Sequence, residues 1–309
     1  VSAAATGAVA AACVLEAAVA EPPTRLHPVA WFGRAVAPFD REWTRPLAVG
    51  ALVAVALPLA AAGVVAGLVL AAAAAGPLAA GAVAGLALFS ATSLRMLLGE
   101  ARAVVAATAD DLPAARERLQ SLAGRDPTDL SAGELRSAAV ESAAENLADG
   151  LVAPLLAFAV GALVSLPVAA GLAAWVKAVN TLDSMLGYRS KRVGTPSARL
   201  DDAVMWLPAR LSALLVAAAA RDPGALARAH DHAAAPPSPN SGWPMAMLAA
   251  VLNCRLAKPG VYDLPLGADF PTVAESQRGV GVVGVAGVLA YLLAGLAVSA
   301  ADSGVVAWF

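Results

Sequence analysis

The stretch from Leu47 to Leu94 contains no charged residue. As α-helix, rising about 1.5 Å per residue, it is long enough to cross a hydrocarbon core of roughly 30 Å twice. The turn falls at Ala74–Pro77, where Gly76 and Pro77 interrupt two blocks of Leu, Val and Ala. Spans are therefore expected near 47–71 and 76–94. A third apolar run, Gly279–Ala301, carries Tyr291 and stops at Asp302, which places a last span near 279–301. Residues 1–20 are apolar except for Glu16 and end in small residues, imitating a signal-peptide cleavage site. They lack a basic n-region and are long for an h-region, so they read as a membrane anchor near 1–20. With 59% hydrophobic and 14% charged residues, against about 25% charged in soluble domains, the chain is expected to be a polytopic, all-α integral membrane bundle. It reads as one embedded domain over 1–309 in the cell membrane, in contact with lipid. Its spans are rich in alanine, which buries little area, so each should lean on its neighbours.

Leu151–Val176 is also charge-free, but Ser165, Leu166 and Pro167 cut it into two short pieces. It is either one kinked span or a re-entrant hairpin at 151–176. All 21 Lys and Arg residues lie between Arg25 and Arg278, and cytoplasmic loops carry such a bias. A single crossing at 151–176 would export Lys177, Arg189, Lys191, Arg192 and Arg199. The hairpin is therefore favoured, with the active-site loops on the cytoplasmic side. Charged, helix-forming sequence at 100–149 reads as a cytoplasmic helical insert, and 177–202 and 221–278 as cytoplasmic loops. No strand-like alternation stands out. The net charge of -2 leaves no surplus to bind nucleic acid. Cys13 and Cys254 lie in separate apolar stretches and support neither a disulfide framework nor a cysteine zinc site.

Three polar blocks carry chemistry. Glu141, Glu145 and Asp149 in ESAAENLADG recur at i, i+4 and i+8, one face of a helix. Like charges at that spacing destabilise a helix unless the face is solvated or a cation neutralises it. Magnesium with nucleotide phosphates is the usual oxygen-bound candidate. In KAVNTLDSMLGY, Lys177, Asn180, Thr181 and Ser184 share a face, with Asp183 beside them. Polar groups leaving membrane depth are costly unless they line a site, and the plainer alternative is an interfacial helix end with a snorkelling Lys177. Arg199, Asp201 and Asp202 in SARLDD, with Arg210 beyond, offer a phosphate clamp and further metal ligands. The alternative there is a salt bridge such as Arg210 with Asp202. His27, before Pro28, reads first as a packed or capping residue, and His230 with His232 is a weak metal signal lacking a third ligand. No Gly-Lys pair exists to build a Walker loop. Gly279, Gly281 and Gly284 match GxGxxG but open a span, where they permit close helix packing.

These segments together resemble the cobalamin-biosynthesis CobD/CbiB family, the adenosylcobinamide-phosphate synthases. The blocks are HPVAWFGR from His27, ESAAENLADGLVAPL from Glu141, KAVNTLDSMLGYRSKR from Lys177, SARLDD, PAR, SPNSGWPMAMLA from Ser238 and KPGVY from Lys258. They run in family order over most of the chain. VGTPSARLDD departs from the family's bulkier approach to the SAR segment, and 100–135 matches weakly.

The resemblance implies an ATP- and magnesium-dependent ligase that joins adenosylcobyric acid to (R)-1-amino-2-propanol or its phosphate through an amide bond. The corrinoid is then substrate, and a homo-oligomer or other corrinoid-pathway enzymes are the implied partners. On that reading Glu141, Glu145, Asp149 and Asp183 hold magnesium. Lys177, Arg199 and Arg210 bind phosphate oxygens, and Asp201 or Asp202 deprotonates the amine. Asn146, Asn180, Asn240 and Trp243, with His27, Thr181, Ser184 and Tyr188, bind substrate. The rival class is a corrinoid-binding or transport membrane protein, since charges beside broken helices also mark substrate pathways; a scaffold for other corrinoid enzymes is a third.

Overall fold

The computed structural model describes residues 2–20, 22–122, 126–188 and 190–302. Val1 of the expected anchor, residues 123–125 of the expected insert, and Arg189 lie outside the described residues. Fourteen helices and one hairpin follow in order among the described residues: α1 (Ser2–Val19), α2 (Pro28–Val36), α3 (Pro46–Ala73), α4 (Pro77–Ala91), α5 (Arg95–Asp110), α6 (Leu112–Leu122) and α7 (Ala132–Leu147). Then come α8 (Ala153–Ala162), α9 (Leu166–Leu186), α10 (Thr195–Val204), α11 (Trp206–Ala220), α12 (Ala225–His230), α13 (Gly242–Leu252), β1 (Arg255–Lys258), β2 (Tyr262–Pro265) and α14 (Val273–Asp302).

Among the described residues, four helical stretches are long and apolar enough to cross a membrane: Pro46–Ala73, Pro77–Asp110, Ala132–Ala162 and Val273–Ala300. The broken pair Arg192–Val204 and Trp206–Ala220 makes a fifth if it is counted as one. The first and last coincide with the spans expected near 47–71 and 279–301, and the one expected at 76–94 lies within Pro77–Asp110. Two segments differ from expectation. The apolar helix near the start is short, Ala3–Val19. Ala132–Ala162 reads in the sequence as part insert and part hairpin because it carries Glu141, Glu145 and Asp149. In the structure Glu141 is buried within the fold, so its charge does not mark a solvated surface.

Packing divides the chain, which composition presents as one domain, into two compact units. The first comprises 1–93, 149–205 and 290–309. Here α9 lies against α3, α4 and α8, and α1 packs on α4. Ala5, Ala8, Val9 and Ala12 on one stripe of α1 are buried, so this helix contributes small side chains that let backbones approach. Gly76 adopts a positive φ of 115°, and Pro77 opens α4 at a position that needs no N–H. The α8–α9 hairpin bends at Ser165, whose hydroxyl caps α9 by accepting from Val168 N. A Cβ on Gly161 would meet the Ala169 backbone at 2.6 Å, so only glycine permits that approach. Leu52, Val55, Leu59, Val64 and Leu68 of α3 are exposed, the composition of a lipid-facing surface.

The second unit comprises 94–148 and 206–289. Helices α5, α6 and α7 enclose Val104, Val105, Leu119, Leu135 and Ala139. A capping box starts α7, with Ser131 and Glu134 exchanging side-chain and backbone bonds. Against α7 lie α13 and the antiparallel β1–β2 hairpin, paired Arg255↔Pro265 through Lys258↔Tyr262. These strands are missing from the sequence reading because each spans only four residues, too few for alternation to register. Their turn is nevertheless legible in Pro259-Gly260, where Gly260 has φ 71°.

Candidate functional site

In the second unit, three sequence blocks converge on one cavity of about 310 Å³. From α7 come Ser142, Glu145 and Asn146; from the loop before α13 come Pro236, Pro237, Ser238 and Ser241; from the hairpin come Lys258, Val261 and Tyr262. Glu141 organises this arrangement from behind. It is 1% exposed and accepts hydrogen bonds from Ser137 Oγ at 2.5 Å and Tyr262 Oη at 2.6 Å. Ser137 Oγ in turn accepts from Ala257 N at 2.8 Å. Both strands of the hairpin are thereby tied to α7, so Lys258 and Tyr262 share the cavity with Glu145 and Asn146. Asn146 Nδ2 donates to Ser142 O, which fixes its amide along the helix.

Arg210 of α11 shapes the loop that closes this cavity. Its guanidinium donates to Asn240 Oδ1 at 2.6 Å, Pro239 O at 3.2 Å and Trp206 O at 2.9 Å. It also stacks over the rings of Trp206 and Trp243, 4.7 and 5.0 Å from their centroids. Asn240 is buried, and its backbone N–H donates to Ser238 Oγ. The sequence pointed Arg210 toward phosphate or Asp202; the structure places it on amide and carbonyl oxygens between two indoles. His230 and Asp231 are exposed, and His230 meets Trp243 edge-on.

The first unit gathers the second polar block. Thr181 Oγ1 donates to Lys177 O and Ser184 Oγ to Asn180 O, so both hydroxyls back-bond to α9 itself. Asp183 Oδ1 is buried without a hydrogen-bond partner. Burial, reinforced by the charge of Asp202, pushes the Asp183 carboxyl up to about 6. A side chain at Gly187 would overlap that carboxylate. Asp201 and Asp202 are half-buried on α10 and Arg199 is exposed. Arg199 offsets part of the negative charge on Asp202. Tyr188 is exposed beside the Lys191 ammonium, which pairs with Asp40 at 2.8 Å. His27 caps α2, its Nδ1 accepting from Val29 N, and also lines a cavity with Lys177.

The expected carboxylate stripe is not one face. After Leu147 the backbone widens into a π-turn over Ala148–Val152, whose longer hydrogen-bonded ring advances the phase. Glu141 is buried, Glu145 lines the cavity, and Asp149 begins the segment that belongs to the first unit. Among the described residues no group of three or more His, Cys, Asp or Glu is placed to hold a metal ion. The set Glu141, Glu145, Asp149 and Asp183 therefore does not form one ligand cluster. Asp183 combines an orphaned buried oxygen with the nearby negative charge of Asp202. Sequence reasoning gave no role to Lys258, Tyr262, Ser142, Ser238 or Ser241, although all five lie in the sequence blocks quoted above.

Comparison with known proteins follows the same blocks. The family model described as CobD/Cbib protein matches residues 9–299. The cobalamin biosynthesis protein CobD of Rhodobacter capsulatus is 38% identical over 76% of this chain and 75% of its own length. That of Klebsiella pneumoniae is 34% identical over 88% of each chain. That of Mycobacterium tuberculosis is 37% identical over 87% of this chain and 88% of its own. No solved structure matches the chain. With a match that spans nearly every element described above, the chain belongs to the CobD/CbiB family.

Proposed function

We propose that this protein is a membrane enzyme of cobalamin biosynthesis, an ATP-dependent ligase forming the amide between adenosylcobyric acid and aminopropanol phosphate. The observation that carries the reading is the convergence of the ESAAEN, SPNSGW and KPGVY segments on the cavity that holds both Glu145 and Lys258. A carboxylate and an ammonium in one small cavity are complementary to a molecule with an ammonium at one end and a phosphate at the other. This favours the phosphorylated amine over the free one. At about 310 Å³ the cavity suits the amine and the reacting acid arm, while the far larger corrin ring lies outside it.

Amide formation from a carboxylate needs activation, which ATP with magnesium supplies as an acyl phosphate. Lys258 would bind the phosphate of the amine, and Glu145 would orient the ammonium and take its proton as it becomes a nucleophile. Ser142, Asn146, Ser238 and Tyr262 supply donors and acceptors for the reacting arm. Asp183 and Asp202 would hold magnesium, and Arg199 and Lys177 would face phosphate oxygens. Glu141 stands behind the site, and Arg210 with Asn240 and Trp243 holds its loop.

The test is mass spectrometry of detergent-purified protein incubated with adenosylcobyric acid, aminopropanol phosphate, ATP and magnesium. The expected result is an ATP-dependent product with the mass of the amide. Binding of the corrinoid with no amide from either amine would overturn the ligase reading in favour of a binding or transport protein.

A further inference from the structure

Between α1 and the apolar stretch that begins at Pro46, the first unit carries a basic segment interleaved with tryptophan. Residues 22–46 hold four arginines, Arg25, Arg34, Arg41 and Arg45, and two carboxylates, Asp40 and Glu42. Asp40 is paired with the Lys191 ammonium at 2.8 Å, which leaves Glu42 as the counter-charge within 22–46. All four arginines are exposed. Helix α2 fixes where this charge stands. Its inner side, Phe32 and Val36, packs with Val49 and Val53 at the entry of α3 and with Leu182 and Leu186 of α9. Its outer side presents Trp31 and Arg34, three positions apart and both exposed. The Trp31 indole N–H donates to Arg25 O at 2.9 Å, which holds the Arg25 backbone beside α2. The Arg41 guanidinium lies 4.1 Å from the centre of the Trp43 ring, and Arg45 directly precedes α3.

Leu26 is 64% exposed and Trp31 is 49% exposed. Apolar side chains left open among arginines match a surface that is anionic at one level and hydrocarbon just beneath it. The start of α3 continues that surface, because Leu47, Leu52 and Val55 are exposed as well. A soluble anion would satisfy the guanidinium groups and leave Leu26 and Trp31 in water. We infer that residues 22–46 form an interfacial collar that binds anionic phospholipid, with headgroup phosphate at Arg25 and Arg34 and the Leu26 and Trp31 side chains in the acyl boundary. The collar needs neither the amine nor ATP, so it does not depend on the ligase reading.

The experiment is native mass spectrometry of the full-length, delipidated protein in detergent, titrated with phosphatidylglycerol or phosphatidylcholine. The expected result is preferential retention of phosphatidylglycerol. The double variant Arg25→Gln with Arg34→Gln should weaken it roughly 10- to 30-fold, from about fivefold for each arginine at an anionic surface. Arg118→Gln with Arg221→Gln, at exposed arginines of the second unit, should retain wild-type affinity. Trp31→Ala should also release phosphatidylglycerol, and inorganic phosphate at millimolar concentration should leave it in place. Displacement of the lipid by phosphate, with Trp31→Ala unchanged, would overturn the lipid assignment in favour of a soluble anion. Equal retention by wild type and the Arg25/Arg34 variant, or an equal loss in the second-unit variant, would overturn the collar altogether.

Discussion

Tyr262 donates its hydroxyl hydrogen to Glu141 at 2.6 Å, joining the tip of the β-hairpin to a carboxylate 121 positions earlier in the chain. With that from Ser137 Oγ, this bond serves a buried glutamate in an alanine-rich helix. Removing it by Tyr262→Phe strands the carboxylate with one partner fewer and should cost about 1–3 kcal/mol. Glu141→Ala removes the acceptor shared by Ser137 and Tyr262 and should cost about 3 kcal/mol. Thermal unfolding in detergent checks both, and the magnesium dependence of turnover should be unchanged in Tyr262→Phe. A shifted magnesium requirement would return Glu141 to the metal.

Lys258 and Glu145 make separable predictions. Lys258→Met should raise KM for the phosphorylated amine roughly tenfold while sparing kcat, because it removes one charge contact in the ground state. Glu145→Gln should lower kcat by roughly 10²–10⁴, the usual range for a lost general base. Steady-state kinetics with varied amine phosphate distinguishes the two. Equal effects on kcat and KM in both variants would contradict the division of roles.

Arg210→Lys keeps the charge but loses the planar fork and the stacking between two indoles. A loss of about 1–2 kcal/mol in stability is expected, with a red shift in tryptophan emission as Trp206 and Trp243 loosen. A phosphate clamp would instead tolerate lysine with little change in either signal.

Asp183 makes stability depend on pH. Its carboxyl titrates at about 6 in the folded protein against an ordinary value of 3.8. The folded state therefore holds its proton more tightly than the unfolded chain does. The contribution to stability is complete below about 3.8 and is lost as pH rises through about 6. Without magnesium, the melting temperature should fall between pH 4 and 7 by an amount equivalent to about 1–2 kcal/mol, discounted for partial solvent screening. Asp183→Asn should flatten this slope. An unchanged slope in the variant would assign the dependence to other carboxylates.

The membrane architecture was legible because hydrocarbon-length runs such as Leu47–Leu94 have few alternatives in water or lipid. The turn at Gly76-Pro77 and the bend at Ser165 were legible for the same local reason, the backbone requirements of Gly, Pro and a capping hydroxyl. What sequence could not supply was the phase change after Leu147, since a π-turn has no compositional mark. An ideal helix puts Glu141, Glu145 and Asp149 on one stripe, whereas the widened turn and the burial of Glu141 give them three surroundings. Lys258 was visible as part of a block, yet its role depends on pairing across the hairpin and docking on α7, contacts that no local pattern encodes. Arg210 illustrates the same limit: its partners Asn240 and Trp243 lie about thirty positions away, and nothing nearby announces them.

The separation between Glu141 and Tyr262 also bears on how the protein is made. The carboxylate leaves the ribosome 121 residues before the hydroxyl that satisfies it. Until Tyr262 emerges, Glu141 lacks that donor, so the polar cavity is completed late in synthesis. A nascent chain arrested between those two positions should therefore expose α7 to added protease, and one arrested well beyond the hairpin should protect it.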